Sequence, residues 1–487
     1  MAAALRQKGF TCHVVDAFGE APDHLRALDQ DRLQSVGLDT AAIIERIPAE
    51  SAIIGISVMF SQEWFYARDV VRAIARARPD ALLVLGGEHA TADYKRILQA
   101  EPSVACCVLG EGDETICELA ECMRMGSSWH SVAGLALRDA QAGVIRTAPR
   151  TRIRTLDELP WPAWDLVPIE TYLKLRLGYE ERNQRTMPML ATRGCPYQCT
   201  FCSNPEMWGT RWVARDPQNV VDEIRFYKQK YQASHFEFYD LTAVVNRKWI
   251  LAFCDLLLAQ NIDVTWRMPS GTRSEALDQT VVSRMQQAGC VGLVYAPESG
   301  SETTLKRIKK RVVPARMLAS IRAARRSRLH IRAHFIVGLP GQTRQEIGET
   351  FFFIARLAWI GVDDVNVFPF FPYPGSEIHH QLTREGRIPT VAADYDRFLS
   401  HASFTDLRAV GSWSEYLSAA SIRRICYLGP AMFYALQFTF RPWRLLRVGY
   451  RLARKKPSTW LERYLFASLH TARPTNDPKS RRTATLP

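Results

Sequence analysis

The sequence has no uninterrupted apolar run of the ~20 residues that a membrane-spanning helix requires. Its nearest approach, residues 425–440, is charge-free but shorter, and it contains Gly429 and Pro430. The N-terminus also lacks a charged start followed by an apolar core and a small-residue cleavage site. We therefore expect a cytoplasmic chain whose 11 cysteines are reduced thiols or metal ligands rather than disulfides.

Acidic residues are scarce only at the C-terminal end. The 487-residue chain carries 63 Lys and Arg against 50 Asp and Glu, a net charge of +13. Residues 421–487 contain 14 Lys and Arg but only two acidic residues, so this segment supplies +12 and the rest is nearly neutral. The body of the chain therefore need not bind a polyanion. A content of 47% hydrophobic and 23% charged residues excludes a disordered or coiled-coil chain.

Residues 1–145 alternate apolar strands with helical segments. The sequence predicts strands at residues 11–17, 52–60, 81–87, 104–110 and 132–138, and a helix at residues 64–78. Nearly continuous apolar strands separated by helices favour a parallel sheet covered on both faces. The chain opens on what reads as the second half of a helix, so we expect this domain to lack its first strand or to begin upstream.

The loops that follow three of these strands are rich in glycine. Open parallel sheets bind ligands beyond the carboxyl ends of their strands, and glycine lets a large flat or phosphorylated ligand approach the backbone. The alternative is that these glycines only form tight turns. The candidate residues are Ser57, Gly86, Gly87, His89, Gly110, Glu111 and Gly112.

Residues 146–185 are predicted to form a stiff connector, and a second alternation occupies residues 186–385. Its strands are predicted at residues 187–192, 235–239, 263–268, 291–296, 331–337 and 364–369. Helices are predicted at 216–231, 246–260, 275–287, 301–326 and 343–360. Six repeats indicate a full or partial parallel barrel with its chemistry at the strand carboxyl ends. Residues 386–487 read as helical, with disorder expected from residue 473.

Three cysteines follow the first barrel strand at the spacing C-x3-C-x2-C. Thiolates this close in sequence can hold three corners of a cubane iron–sulfur cluster. No fourth cysteine lies nearby in the sequence, so one iron would keep an open position that an aminoacyl chelate can fill. A structural zinc site, the alternative, would use four ligands at paired spacing. The three cysteines are Cys195, Cys199 and Cys202.

This motif, with Phe201 before its third cysteine and a six-repeat barrel behind it, resembles the radical S-adenosylmethionine (radical SAM) superfamily. The N-terminal α/β region, followed by Leu-Pro-Trp-Pro-Ala-Trp-Asp and then Thr-Arg-Gly-Cys-Pro-Tyr, is similar to the cobalamin-binding subclass. The resemblance covers residues 1–385. It implies an α/β chain with a Rossmann-like cobalamin-binding domain, a (βα)6 partial barrel and a helical C-terminal region.

The resemblance also implies roles for matching residues. The three cysteines would hold a [4Fe-4S] cluster, Phe201 would pack near the adenine of SAM, and Gly338 and Gly341 would allow close approach of the adenine. Glu298 would hydrogen-bond the ribose, and Arg273 would bind the SAM carboxylate. For these last two the alternatives are a helix-cap partner and a surface ion pair.

The resemblance also implies residues that line or close the SAM site, and a place for cobalamin. Asp240 would face the SAM site from the end of the second strand, and Pro374 with Gly375 would close that site. Cobalamin would lie over the glycine-rich loops of the first domain. Because the Asp-x-His-x-x-Gly signature is absent, it would bind without an axial histidine. No residue is assigned a direct catalytic role.

The implied activity is reductive cleavage of SAM to methionine and a 5′-deoxyadenosyl radical. With cobalamin, the enzyme would methylate or oxidatively remodel a hydrophobic metabolite, lipid or tetrapyrrole, using electrons from a flavodoxin or ferredoxin. One alternative is a radical SAM enzyme without functional cobalamin. Another is an RNA-modifying enzyme, which would carry an added RNA-binding domain and a second set of cluster cysteines. Since the sequence shows neither, no nucleic acid partner is expected.

The basic C-terminal segment, residues 421–466, predicts contact with a membrane surface. Arginines recur there every three or four residues and so are expected to share a helical face, with Trp, Tyr and Leu filling much of the rest. Such a helix suits the interface of an anionic membrane and would place the enzyme peripherally on its inner face. The alternatives are docking on RNA or an acidic protein, and packing on the barrel with a solvated edge. The arginines are Arg441, Arg444, Arg447, Arg451 and Arg454.

The remaining cysteines are expected to be buried structural thiols, because most of them lie in apolar runs. They are Cys12, Cys106, Cys107, Cys117, Cys122, Cys254, Cys290 and Cys426.

Overall fold

The computed structural model describes residues 1–28, 33–176, 184–242, 244–402, 407 and 410–471. By packing, the chain divides into two compact units, which are described separately. The first comprises Met1–His235 and Pro372–Ala402, and the second comprises Phe236–Phe371 and Ser403–Pro487. The predicted domain boundaries at residues 145, 185 and 385 remain predictions. The segment predicted to be disordered lies outside the described residues.

Strands occur throughout the first 370 residues. They are β1 (Leu25–Leu28), β2 (Leu33–Val36), β3 (Ile53–Ser57), β4 (Leu82–Gly86), β5 (Cys106–Val108), β6 (Leu135–Asp139), β7 (Gly143–Arg146), β8 (Thr186–Met189), β9 (Thr192–Arg193), β10 (Val213–Ala214), β11 (His235–Phe238), β12 (Thr265–Thr272), β13 (Cys290–Glu298), β14 (His330–Val337) and β15 (Asp364–Pro369).

Helices separate most of these strands and form the C-terminal region. They are α1 (Ala2–Gln7), α2 (Ala17–Glu20), α3 (Thr40–Glu45), α4 (Trp64–Ala77), α5 (Glu88–Ala92), α6 (Tyr94–Ala100), α7 (Asp113–Arg124), α8 (Ile169–Leu175), α9 (Asn204–Trp208), α10 (Pro217–Tyr231), α11 (Arg247–Ala259), α12 (Gln279–Gln287), α13 (Glu302–Arg307), α14 (Pro314–Arg326), α15 (Arg344–Ile360), α16 (Glu377–Arg384), α17 (Ala392–Ser400), α18 (Ala419–Phe440), α19 (Trp443–Ala453) and α20 (Trp460–Thr471).

The first unit contains a five-stranded sheet in the order β3-β4-β5-β6-β7. Strands β3, β4 and β5 are parallel, as predicted, but β6 runs antiparallel to both β5 and β7. The expectation of an entirely parallel sheet is therefore wrong. The apolar run at 132–138 enters the sheet without a crossover helix and folds back through β7, so its hydrophobicity carried no information on direction.

The segment predicted as the first strand, residues 11–17, is not a strand. Among its described residues the backbone is irregular up to residue 16, and α2 begins at Ala17. Asp16 caps that helix by accepting a hydrogen bond from the Gly19 amide at 3.0 Å, and its carboxylate also accepts from the Tyr172 hydroxyl. These local hydrogen bonds end the extended segment before it can join a sheet.

The larger sheet has the order β15-β14-β13-β12-β11-β8 in the described residues, and β12 to β15 are parallel neighbours. The six predicted barrel strands are confirmed, with ends shifted by a few residues. The predicted helix at 301–326 is instead two helices, α13 and α14. Lys309 breaks it with a left-handed backbone (φ +52°), and Pro314 starts the second helix.

The C-terminal helices belong to the second unit. Helix α18 packs along β15 and α15, burying Ile422, Cys426 and Phe433. Arg441 ends this helix and Pro442 precedes the next. The five tail arginines therefore do not share one continuous helical face, which corrects that expectation. Among the helices described, none is long and apolar enough to cross a membrane.

Candidate cofactor sites

The three motif cysteines lie in the first unit, in the loop between β9 and α9. All three side chains are half-buried, and the Cys202 amide donates to the Cys199 carbonyl at 3.1 Å. Burial, with smaller contributions from the neighbouring Cys199, Glu88 and Cys195, raises the pKa of the Cys202 thiol to about 12. The thiols are therefore close enough to repel each other as thiolates, and a cationic cluster would relieve that repulsion.

The cysteine side chains fit an iron–sulfur cluster by their chemistry and proximity rather than by a preformed geometry. In the part of the chain that the structure describes, no group of three or more His, Cys, Asp or Glu side chains is arranged to hold a metal ion. Metal-binding thiols lose protons and adjust their rotamers when they ligate. The assignment of Cys195, Cys199 and Cys202 as ligands thus remains a prediction.

A buried ion-pair network supports the start of the cysteine loop. Arg193, two residues before the first cysteine, donates to Glu111 at 3.2 Å and to Asp113 at 2.7 Å. Arg152 donates to the other Glu111 oxygen at 2.6 Å and to the Trp208 carbonyl. The network joins the loop after β5 to the start of the cysteine loop and to the end of α9. Sequence reasoning missed Arg152, which lies in the connector without a local motif.

Gly194 makes this arrangement possible. Its backbone is left-handed (φ +82°), and a Cβ there would overlap the Arg211 carbonyl oxygen. Only glycine meets both conditions without strain. The Arg-Gly-Cys sequence therefore serves the shape of the loop as well as its chemistry.

Several predicted cobalamin residues meet at one edge of the first sheet. Ser57 and Gly86 are paired at the carboxyl ends of the parallel strands β3 and β4. Gly87 follows with φ +106°, and a Cβ there would lie 2.5 Å from the Val58 carbonyl oxygen. The backbone is thus exposed for close approach at the edge where such sheets bind ligands.

His89 lies in the same loop region and is fully buried. Its Nδ1 is 3.0 Å from the Ser61 hydroxyl, while its Nε2 has no hydrogen-bond partner among the residues that the structure describes. Burial, with a contribution from His379, lowers the pKa of His89 to about 3, so its imidazole is neutral at physiological pH. A neutral, unsatisfied ring nitrogen together with the bare glycine backbone fits a bound cofactor at this edge.

The loop after β5 contains the remaining predicted cobalamin residues. The Gly110 amide donates to the Thr91 hydroxyl at 3.0 Å, and Gly112 precedes α7. The Glu111 carboxylate accepts from Arg152, Arg193 and the Ile153 amide. Glu111 therefore has a structural role in the ion-pair network, and its contact with cobalamin remains a prediction.

The predicted SAM residues other than Phe201 lie in the second unit. Glu298 ends β13 with a left-handed backbone (φ +63°), and its carboxylate accepts from the Lys310 amine at 2.7 Å. Both side chains are buried. Ser301, not Glu298, is at the N-cap of α13, so the helix-cap alternative is wrong. A strained non-glycine backbone bearing a buried carboxylate is typical of a binding site.

Arg273 is also buried, which excludes the surface ion pair that was its alternative. Its guanidinium donates to the Arg311 carbonyl at 2.6 Å and lies 3.5 Å from Glu275. Lys310 and Arg311 thus hold the two predicted SAM residues. Sequence reasoning missed them, because the segment 301–326 reads as one helix and Lys309-Lys310-Arg311 then becomes an ordinary basic helix face.

Three other SAM candidates, Asp240, Gly338 and Gly341, follow the carboxyl ends of strands in the second unit. Asp240 is buried just after β11. Gly338 follows β14 with φ +87° and donates to the Gln342 side chain at 2.7 Å, and the Gly341 amide donates to Glu415 at 2.8 Å. Gly375 has a left-handed backbone in the first unit. These positions suit a ligand that approaches backbone, and their roles remain predictions.

Two family models match the chain. The Radical SAM superfamily matches residues 189–354, which include the cysteine loop and most of the barrel strands, and the B12 binding domain matches residues 1–120. The chain carries a radical SAM domain and a B12-binding domain. It is therefore an enzyme of the radical SAM kind, with SAM, a [4Fe-4S] cluster and cobalamin as its cofactors. These findings confirm the predicted family, fold class and cofactors.

Curated relatives of this radical SAM enzyme include methyltransferases and a cyclase. An uncharacterised methyltransferase of Pyrococcus horikoshii is 27% identical over 340 residues, covering 70% of this chain and 71% of the relative. The anaerobic magnesium-protoporphyrin IX monomethyl ester cyclase of Cereibacter sphaeroides is 28% identical over 390 residues, covering 78% and 59%. The chain is thus similar to methyltransferases and to a cyclase, at identities below 30%.

Solved structures show the same fold. OxsB, a cobalamin-dependent SAM radical enzyme solved with aqua-cobalamin and SAM, matches with a TM-score of 0.63 at 15% identity, covering 92% of this chain and 63% of its own. TsrM from Kitasatospora setae, a radical SAM methyltransferase solved with cobalamin and a [4Fe-4S] cluster, matches with a TM-score of 0.59 at 16% identity, covering 70% and 69%.

Proposed function

We propose that this radical SAM enzyme methylates or oxidatively remodels a hydrophobic metabolite, with tetrapyrroles as the first substrate class to test. The observation that carries the proposal is the presence of a B12-binding domain and a C-x3-C-x2-C loop in one chain. The tetrapyrrole class comes from its relatives, which include magnesium-protoporphyrin cyclases and bacteriochlorophyllide methyltransferases.

The proposed roles follow the chemistry of the side chains. Cys195, Cys199 and Cys202 would ligate the cluster, leaving one iron for the amine and carboxylate of SAM. Arg273 would bind the SAM carboxylate, and Glu298, fixed by its pairing with Lys310, would accept hydrogen bonds from the ribose. When bound, the cluster would supply the single electron for reductive cleavage of the SAM sulfonium bond, which gives methionine and a 5′-deoxyadenosyl radical.

The first unit would provide the cobalamin site at the carboxyl edge of β3, β4 and β5. Gly86, Gly87 and Gly110 expose backbone there, and the buried neutral His89 offers its unsatisfied nitrogen. When bound, cobalamin supplies the methyl-transfer or electron-transfer chemistry, while the protein orients it and keeps water away.

Two partner proposals accompany this function. The enzyme needs a low-potential one-electron donor such as a flavodoxin or ferredoxin, since SAM cleavage is reductive. The segment 421–466 is proposed to contact a membrane surface, which would suit a lipid-like or tetrapyrrole substrate with low water solubility.

The test is anaerobic reconstitution of the full chain with iron, sulfide and cobalamin, followed by incubation with a reductant and methyl-labelled SAM. We expect methionine and 5′-deoxyadenosine, and label or a lost hydrogen in a tetrapyrrole ester supplied as substrate. The triple variant Cys195→Ala, Cys199→Ala, Cys202→Ala should form neither nucleoside nor methionine. Cys122→Ala, a half-buried thiol outside the motif, is the matched control and should stay active.

Two results would count against the proposal. Continued SAM cleavage by the triple variant would contradict the cluster assignment. The wild-type chain could instead cleave SAM and modify a component of a lipid extract but no tetrapyrrole. That result would contradict tetrapyrroles as the substrate class and would still support the proposed reaction type.

A further inference from the structure

Two arginines of helix α19 pack against the second unit. Arg444 is buried and donates to the carbonyls of Gly361 at 2.8 Å and Val362 at 3.0 Å, just beyond the end of α15. Arg451 donates to the buried carboxylate of Glu462 at 3.3 Å. These two arginines hold the helix on the second unit, and they are therefore not available to an outside partner.

Another side of α19 is apolar and faces solvent. Trp443, Leu446 and Tyr450 follow the helical spacing i, i+3, i+7 and are 60%, 78% and 61% exposed. Surface helices ordinarily bury large apolar residues at this spacing, so an exposed stripe of three points to a partner. We call these three residues, with Trp359 and Phe440, the outward apolar face.

The last two members extend the face beyond α19. The rings of Trp359 and Phe440 make an edge-to-face contact at 4.9 Å, and the Trp359 side chain is 66% exposed. The backbone at this point is anchored by Arg441, which donates to the Ala358 and Trp359 carbonyls at 3.0 and 2.7 Å. Exposed aromatic residues are thus held on a firmly packed support rather than on a loose end.

Positive charge borders the outward apolar face. Arg447 and Arg454 are exposed on the adjoining strip of the helix, and the Arg454 guanidinium lies 5.2 Å from the centre of the Tyr450 ring. Lys455 and Lys456 follow directly and are exposed. In residues 421–471 the only acidic residue in the sequence is Glu462, and it is buried. The border therefore carries cations without compensating surface anions.

We propose that the outward apolar face docks on the surface of an anionic phospholipid bilayer, with α19 lying in the interface. Trp and Tyr rings favour the headgroup level, Leu446 would enter the acyl boundary, and the bordering cations would meet lipid phosphates and serines. A nucleic acid would match the charge but leave the apolar centre in water, and a second copy of the chain would bring like charges together. The inference rests on the membrane contact proposed above for residues 421–466 and assigns that contact to an apolar face bordered by cations.

The experiment is co-sedimentation of the reconstituted full-length enzyme with vesicles. One set is phosphatidylcholine alone and the other contains about 30% phosphatidylserine. We expect binding to the anionic vesicles that weakens with salt. The pair Leu446→Ser and Tyr450→Ser should lower the partition coefficient by about tenfold or more, since both apolar contacts are lost. Met125→Ser, an equally exposed apolar residue of the first unit, is the matched control.

A second pair of variants tests the charged border. Arg447→Glu with Arg454→Glu should lower binding to anionic vesicles by about tenfold or more and leave the weaker binding to phosphatidylcholine unchanged. Arg316→Glu with Arg322→Glu makes the same change in net charge on the exposed side of α14 and should not alter binding. Melting temperature and SAM cleavage in solution check that every variant is folded.

Three results would overturn the proposal. One is wild-type chain that stays in the supernatant with both vesicle types. Another is binding that the apolar pair does not reduce although the variant is folded. The third is retention on heparin or RNA, abolished by the arginine pair, without binding to vesicles, which would assign the face to a nucleic acid. Because SAM cleavage is measured separately, these outcomes are distinguishable from failure of the proposed reaction.

Discussion

The contact between Glu298 and Lys310 shows how one residue can carry both strain and charge. The carboxylate lies on a left-handed backbone and is buried with the amine that neutralises it. Burying such an ion pair costs desolvation free energy, and replacing either residue leaves the charge of the other buried without a partner. The pairing therefore fixes the carboxylate in one position, which a residue proposed to bind the SAM ribose requires.

Lys310→Met is expected to destabilise the chain by about 3 kcal/mol, because the Glu298 carboxylate would be left charged and buried. Adding Glu298→Gln should recover much of that loss, since no charge then remains buried. Urea denaturation of the wild-type chain, the two single variants and the double variant gives the interaction free energy between Glu298 and Lys310. Lys310→Arg, which keeps the charge, should also keep SAM binding in equilibrium dialysis. Losses that simply add in the double variant would contradict the pairing.

At this scale the sequence was informative where a residue type carries chemistry at fixed spacing. Cys195, Cys199 and Cys202 were recognisable because three thiols within eight positions have few other uses. Lys310 and Arg152 were not, because their partners Glu298 and Glu111 are distant in sequence or hidden by a broken helix. Only the folded chain reveals which arginine or lysine among 63 meets which carboxylate.

At the scale of elements, the C-terminal end of α15 is closed by a distant side chain. Gly361 takes the left-handed position that ends the helix, and Arg444 caps the carbonyls of Gly361 and Val362 while lying 3.3 Å from Asp363. Burial lowers the pKa of Arg444 to about 10, so it remains charged at neutral pH. A cation at this end also interacts favourably with the negative end of the helix dipole.

Arg444→Ala is expected to lower the free energy of unfolding by about 2 kcal/mol, since buried carbonyls lose a charged donor. Hydrogen exchange of the α19 amides should accelerate, because the arginine links this helix to the end of α15. Arg447→Ala, an exposed arginine of the same helix, should cost less than about 0.5 kcal/mol. Equal effects of the two variants would show that Arg444 has no capping role.

The same elements mark the limit of pattern reasoning. The barrel strands were predictable because each is an apolar run between clear helices, and the parallel order follows from that alternation. The direction of β6 was not, since an apolar strand looks alike in either direction. The basic face of the tail was misassigned for a related reason: periodicity identifies the faces of a helix but does not say which one is buried.

At the scale of the whole molecule, the candidate sites are divided between the two units. The cysteine loop and the glycine-rich loops for cobalamin belong to the first unit, whereas Arg273 and Glu298 belong to the second. The proposed reaction needs residues of both. The cluster and cobalamin residues share one unit and are linked by the Glu111 network, yet they are chemically separate sites, so each cofactor should be removable without the other.

Gly87→Ala is the variant that separates them. The new Cβ would lie 2.5 Å from the Val58 carbonyl oxygen on a backbone with φ +106°, so the loop must shift. A strain of about 1–3 kcal/mol corresponds to cobalamin binding weakened by about 5- to 150-fold. Iron content and 5′-deoxyadenosine formation should persist, while methyl transfer is lost. Gly126→Ala is the matched control, since Gly126 also has a positive φ but open space around it.

The converse variant completes the test. The chain with all three motif cysteines replaced by alanine should bind cobalt as cobalamin at the wild-type level while its iron content falls to background, measured by elemental analysis after anaerobic reconstitution. Because the glycine edge of β3, β4 and β5 is formed by backbone and does not depend on the thiols, loss of cluster ligands leaves that edge intact. Simultaneous loss of cobalt and iron in either variant would mean that the two cofactors stabilise one common structure, and the separation of the sites would then be wrong.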